Sequence, residues 1–148
     1  PTAGTIMRTG FSYLYIDQEC SVIDPRLTVF EQTERFNTGN WAEHELKSIL
    51  NRYLFPYDTW DKGCACLSGG EKIRLLFCCL MIGNNAPDVF ILDEPTNNLD
   101  IQSVEIITAA IKSYRGTVLL ISHDHYFVKE IKINRSIKLF DTGSVIKI

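Results

Sequence analysis

Four apolar residues, Val89-Phe-Ile-Leu92, run straight into two acids, Asp93-Glu94, and on into Pro95-Thr-Asn-Asn-Leu-Asp100. So short an apolar run, bounded by polar and turn-forming residues, reads as a strand buried on both faces. Strands of that kind belong to parallel sheets covered by helices. The run therefore confines the chain to an α/β architecture. It delivers two carboxylates to the carboxyl end of a strand, where ligands bind in open α/β sheets.

The flanking sequence repeats the alternation. A helix is expected from about Ile101 to Tyr114, stopped by Gly116, then a strand over Thr117–Ile121 and a helix from Asp124 to about Ile131. Upstream, Phe11-Ser-Tyr-Leu-Tyr-Ile-Asp17 is aromatic and β-branched and reads as a strand ending at the polar Gln18. Asp24-Pro25 marks a turn. From Leu27 to about Leu54 the apolar spacing becomes helical, broken at Asn37-Thr-Gly-Asn40. Ser68 then opens a helix, with Glu71 three residues on as in a capping box, running to about Ile82 and ending at Gly83-Asn-Asn-Ala-Pro87. The end of the chain, Ser136–Phe140 and Val145–Ile148 around Asp141-Thr-Gly-Ser144, reads as a β-hairpin.

With 148 residues and 45% apolar content, the chain has the size of one globular domain. A net charge of -3 supplies no global attraction to nucleic acid. The apolar stretch Leu75–Gly83 is far shorter than the roughly 20 residues a membrane span needs. No signal peptide is visible, and the start at Pro1 suggests a processed or truncated chain. Five cysteines, among them Cys64-x-Cys66, form no regular disulfide framework and complete no zinc set. They read as small buried hydrophobes in a reducing cytoplasm.

Three features carry chemistry. Asp93 and Glu94 read either as a solvated strand end or as a pair in which one carboxylate holds hydrated Mg²⁺ and the other polarises water. Leu67-Ser-Gly-Gly-Glu71 presents a hydroxyl and unpaired N–H groups at a helix N-terminus, which favours an anion. A cap explains Ser68 and Glu71, but two adjacent glycines in the first turn weaken a helix and need another reason. His123 follows a strand, where a histidine is ordinarily a surface residue. A phosphate loop of the form Gly-x-x-x-x-Gly-Lys-Ser/Thr is absent. The nearest segment, Gly63 to Lys72, has Ser68 where the second glycine belongs.

In combination, Leu67–Glu71, Val89–Asp100 and Ser122-His-Asp124 resemble the catalytic half of an ABC-type ATPase. The resemblance implies ATP and Mg²⁺ as cofactors. It makes Asp93 a metal residue of a Walker B strand, Glu94 the catalytic base and His123 the switch histidine near the γ-phosphate. It implies that Gln18 is the Q-loop residue reaching metal and water, and that Ser68, Gly69, Gly70 and Glu71 form the signature contacting a nucleotide held by an opposite cassette. Asp100 then belongs to the loop coupling two composite sites. The implied organisation is a partial cassette over 1–148, with a helical insertion at about 25–66, the signature helix at 67–83 and Walker B to the terminal hairpin at 88–148.

The short insertion between Gln18 and Ser68 leaves no room for the coiled coil of chromosome-maintenance relatives and is smaller than that of transporter cassettes. Glu94-Pro-Thr-Asn-Asn-Leu-Asp100, Tyr114–Asp124 and Tyr126-Phe127 resemble most closely the ABC-F proteins. That resemblance extends from Pro1-Thr-Ala-Gly-Thr5, which is similar to the segment just past a phosphate-loop helix. It implies a second cassette, in the same polypeptide or a homodimer, as partner, and the ribosome and tRNA as targets. A transporter's nucleotide-binding subunit and a non-hydrolysing interaction module are the competing readings. Without the phosphate loop the isolated chain is expected to be inactive. The resemblance also implies a strand and helix missing beside Val89–Asp93, leaving open edges and a tendency to self-associate.

Overall fold

The computed structural model describes residues 10–17, 20–83, 86–97, 99–139 and 145–147. Gln18, the segment Pro1–Thr5 and the turn Asp141–Ser144 lie outside the described residues. Three strands, β1 (Tyr13–Ile16), β2 (Val89–Asp93) and β3 (Thr117–Ile121), form a parallel sheet in the order β1-β2-β3. Val89 lies opposite Tyr13 on one side and Thr117 on the other, and the ladder with β3 runs on to Asp93 opposite Ile121. Parallel neighbours cannot be joined by a tight turn. The β2–β3 connection accordingly carries α4 (Ile101–Ser113), and the β1–β2 connection carries α1 (Val29–Arg35), α2 (Glu43–Arg52) and α3 (Gly69–Ile82). α5 (His125–Ile131) follows β3, and β4 (Ile137–Leu139) pairs antiparallel with β5 (Val145–Lys147), as the hairpin reading requires.

The middle place of β2 corrects one expectation. No position beside Val89–Asp93 is vacant, because β2 is hydrogen-bonded along both edges. The free edges among the described residues are the outer ones of β1 and β3.

Coverage of the sheet corrects another. Side chains alternate between faces along a strand and share a face with those directly opposite on the neighbours. The register therefore gathers Tyr13, Tyr15, Ile91, Asp93, Leu119 and Ile121 on one face, and Ile16, Phe90, Leu92, Val118 and Leu120 on the other. The second face is packed: Ile16, Phe90 and Leu92 are buried. On the first, Tyr13, Tyr15, Leu119 and Ile121 are 53%, 44%, 51% and 50% exposed. Helices thus cover one face rather than two among the described residues. The first strand is also shorter than Phe11–Asp17, and Phe11 lies exposed before it.

Most of the core is built on α3, where Leu75, Leu76, Cys78, Cys79 and Ile82 are fully buried. The helix touches α1, α2 and α4, and Phe77 meets Phe90 of β2 edge-on. Its start is fixed by the anticipated capping box. The Glu71 N–H donates to Ser68 Oγ at 3.2 Å and the Ser68 N–H to Glu71 Oε2 at 2.7 Å. A second box, Thr28 with Glu31, opens α1. At the far end of α3, Trp41 Nε1 donates to the Ile82 carbonyl at 3.0 Å, satisfying a carbonyl that the helix itself leaves open. All five cysteines are free thiols, and only Cys66 is exposed. Burial pushes the Cys20 thiol up to about 12 and the Cys64 thiol up to about 11, as for inert core residues.

Candidate active site

Asp93 ends β2, and the backbone turns sharply at the next residue. Glu94 sits at φ 49, and its N–H donates to the Ile121 carbonyl of β3 at 2.8 Å. That bond ties the ends of the two strands together. It directs the Glu94 carboxylate at the residue two beyond β3: Oε1 lies 2.7 Å from His123 Nδ1, and Oε2 accepts from the His123 N–H at 3.4 Å. A carboxylate only accepts hydrogen bonds, so Nδ1 is the donor in this contact. The Glu94 side chain is largely enclosed whereas the imidazole is 77% exposed. The acid is thus held, and its histidine partner reaches into solvent.

Asp93 has a partner that sequence reasoning missed. Tyr15 donates its hydroxyl to Asp93 Oδ2 at 2.9 Å. This hydrogen bond, with partial burial and the charges of Asp93 and Asp17, pushes the Tyr15 phenol above its ordinary value. Period-two alternation on β1 was the available signal, but connecting Tyr15 to Asp93 also needs the sheet order, which no local pattern contains. Asp93, Glu94, His123 and Tyr15 form one cluster at the carboxyl ends of adjacent strands.

Magnesium is ordinarily held by one or two carboxylates with waters and phosphate oxygens, not by an all-protein cage. The cluster fits that requirement in its donor type: the Asp93 carboxylate, with one oxygen held by Tyr15, and the neighbouring Glu94 offer the hard oxygen donors that suit the ion.

The residues from Ser68 to Glu71 and Asp100 form a second, separately built assembly. Glu71 is engaged twice, by the Ser68 N–H and by Lys62 Nζ at 2.8 Å. Burial works to raise its pKa, but these partners together hold it below the ordinary value. Gly69 faces open space, whereas a Cβ on Gly70 would stand 3.0 Å from Leu99 Cδ2. The start of α3 is therefore pressed against the loop leading to Asp100. Asp100 caps α4, its Oδ1 accepting from the Ser103 N–H at 2.7 Å. Hydrogen bonds from Ser103, with a contribution from the Arg74 charge, hold its carboxyl below the usual range. Gln18, the remaining expected site residue, is outside the described residues.

A family model described as "ABC transporter" matches residues 3–97. The chain is 42% identical over 128 residues to ABC transporter F family member 5 of Arabidopsis thaliana, covering 86% of this chain and 18% of that relative. It is 45% identical over 104 residues to ABC transporter F family member 2 of the same organism, covering 70% of this chain and 15% of the relative. It thus spans less than a fifth of the length of either. Among solved structures, the complex of archaeal ribosomal stalk protein aP1 with the archaeal ribosome recycling factor aABCE1 superposes with a TM-score of 0.70 at 25% identity, over 93% of this chain and 26% of that one.

Proposed function

The chain belongs to the ABC transporter family, with F family members among its relatives, and from that premise we propose that it forms part of a cassette that hydrolyses ATP in a pair with a second cassette. The observation that carries this reading is the contact between Glu94 and His123 beside Asp93, at the ends of adjacent parallel strands. Asp93 is the Walker B residue that would hold Mg²⁺. When bound, the ion neutralises charge on the transferring phosphoryl group. Glu94, fixed by the Ile121 carbonyl and His123, orients water and accepts its proton at a carboxylate oxygen. His123 holds that carboxylate through Nδ1 and its own N–H, and by the family resemblance its ring would lie near a bound γ-phosphate. The N–H groups of Gly69 and Gly70, with Ser68 and Glu71 bracing the turn, would face a nucleotide on the opposite cassette. By the family resemblance Asp100 would belong to the loop coupling the two composite sites, and Gln18, outside the described residues, to the first.

The parent protein acts on the ribosome, in a cytoplasmic setting. Support comes from the F-family relatives, the short insertion and a solved neighbour crystallised with a ribosomal stalk protein. No described helix is long and apolar enough to cross a membrane.

In the full-length protein, Glu94→Gln should leave Mg-ATP binding intact and slow phosphate release by about 10²–10⁴-fold. The trapped protein should co-sediment with ribosomes in Mg-ATP. Phosphate release at the unsubstituted rate would remove Glu94 from the chemistry, and an absence from the ribosomal pellet would end the translational reading.

A further inference from the structure

The donor that serves Asp93 stands on a different strand. The ladder between β1 and β2 sets Tyr15 opposite Ile91, two positions before Asp93 and on the same face. From there the Tyr15 hydroxyl reaches diagonally to Asp93 Oδ2 at 2.9 Å. On the other side of β2 the residue opposite Asp93 is Ile121, which offers no polar side chain. On β1 the next residue in register would be Asp17, but the ladder stops at Ile16. Asp17 instead accepts from the Ser21 N–H at 3.0 Å and from the Ser21 hydroxyl at 2.7 Å. Two like charges are thus kept from standing opposite each other, and a neutral donor takes the place beside Asp93.

Packing does not account for that hydroxyl, since phenylalanine would cover the same part of the sheet. A lysine or arginine would hold the carboxylate more tightly but would cancel charge that a cation needs. A phenol fixes the carboxylate without neutralising it. With Oδ2 held, rotation of the group is restrained and Oδ1 is left for another partner. The arrangement does not depend on what covers this face in the full-length protein, because the backbone ladder positions both residues. Exclusion of water from the face would strengthen the bond.

We propose that Tyr15 is a positioning residue of the metal site, whose hydroxyl holds the Asp93 carboxylate in the orientation that receives Mg²⁺ or one of its waters. The proposal rests on the Walker B reading of Asp93 and adds to it the residue that aims the carboxylate. Partners that orient metal-binding side chains typically contribute about 10–100-fold in metal affinity. Magnesium keeps several waters and takes few protein ligands, which places the expected effect at the lower end.

The test reads binding, not turnover. In the full-length protein, affinity for a fluorescent non-hydrolysable ATP analogue is measured in EDTA and against rising Mn²⁺, and the EPR spectrum of the bound Mn²⁺ reports its surroundings. Tyr15→Phe removes the hydroxyl and keeps the ring. It should raise the Mn²⁺ concentration needed for half of the metal-dependent gain by about tenfold, alter the bound spectrum and leave the affinity in EDTA unchanged. Tyr13→Phe, on the same face two residues earlier, should change none of these, and Asp93→Asn should abolish the gain. Circular dichroism checks folding. If Asp93→Asn loses the gain while Tyr15→Phe matches the unsubstituted protein, Tyr15 only stabilises the sheet and this proposal alone fails. If Asp93→Asn keeps the gain, the Walker B reading fails and takes the proposal with it. Equal losses in EDTA and in Mn²⁺ for Tyr15→Phe would mark a general disturbance of the sheet and would also overturn it.

Discussion

The surroundings of α3 and the open face of the sheet are built from equally apolar sequence and end in opposite conditions. Around α3, Leu75, Leu76, Cys78, Cys79 and Ile82 have no solvent exposure, and both ends of the helix are tied, by Ser68 with Glu71 and by Trp41. Across the sheet, Tyr13, Tyr15, Leu119 and Ile121 stand about half exposed on the face that also carries Asp93. Apolar composition alone therefore does not say what is buried. The helix finds partners on several sides, in α1, α2, α4 and β2, whereas the strands find them on one face only.

The widest separation between the two regions should come from truncating the core. Leu76→Ala removes a fully buried side chain and should cost about 2–5 kcal/mol, read by urea unfolding. A loss under about 1 kcal/mol would mean that the α3 region is no better packed than the open face.

Ser68→Ala should cost about 0.5–2 kcal/mol by removing the cap. The same cap gives a pH signature. Glu71 and Glu31 both have folded-state pKa values below the ordinary 4.5, so the folded chain binds their protons less readily than the unfolded chain. The stability they contribute is complete above that value and is lost as pH falls through the lowered ones. Acid titration should therefore loosen the starts of α1 and α3, and a Lys62→Met protein, which lacks the main partner lowering Glu71, should show a shallower loss.

Gly69→Ala probes the boundary between folding and site. Open space around Gly69 means that alanine should stabilise α3 by about 0.5–1 kcal/mol, while Gly70→Ala must displace Leu99 and should not. A stabilised Gly69→Ala protein with impaired nucleotide-dependent cassette pairing would show that this glycine serves close approach of a ligand, not the fold. Smallest in stability is Leu119→Ser, expected within about 0.5 kcal/mol because the side chain is exposed, yet it should lower self-association in light scattering. A large unfolding effect instead would mean that the open face is covered.

Elements with local causes were legible in the sequence. Val89–Asp93, Thr117–Ile121 and the helix from Ser68 to Ile82 emerged nearly residue for residue, because capping chemistry and short apolar runs act within a few positions. The cap at Thr28 follows the same rule and could have been read from Glu31. Properties of sheet assembly were not legible. The run Val118–Ile121 is apolar and suggested a strand covered by helices, but its exposure depends on what packs against each side. The place of β2 between β1 and β3 depends on pairings between segments far apart in the chain, and the hydrogen bond from Tyr15 to Asp93 joins residues 78 positions apart. The Glu94–His123 contact lies between these cases, since each residue marks a strand end but only the sheet order makes the ends adjacent.

The left-handed backbone at Glu94 has a consequence for how this cluster tolerates change. A non-glycine residue at φ 49 carries strain, of order 1–3 kcal/mol for such conformers, that glycine would relieve. Glycine has no carboxylate to set against His123. The position that aligns the acid is thus one where conformational ease and chemistry favour different residues. Drift towards a more relaxed backbone would erase the acid first and leave the strands on either side intact.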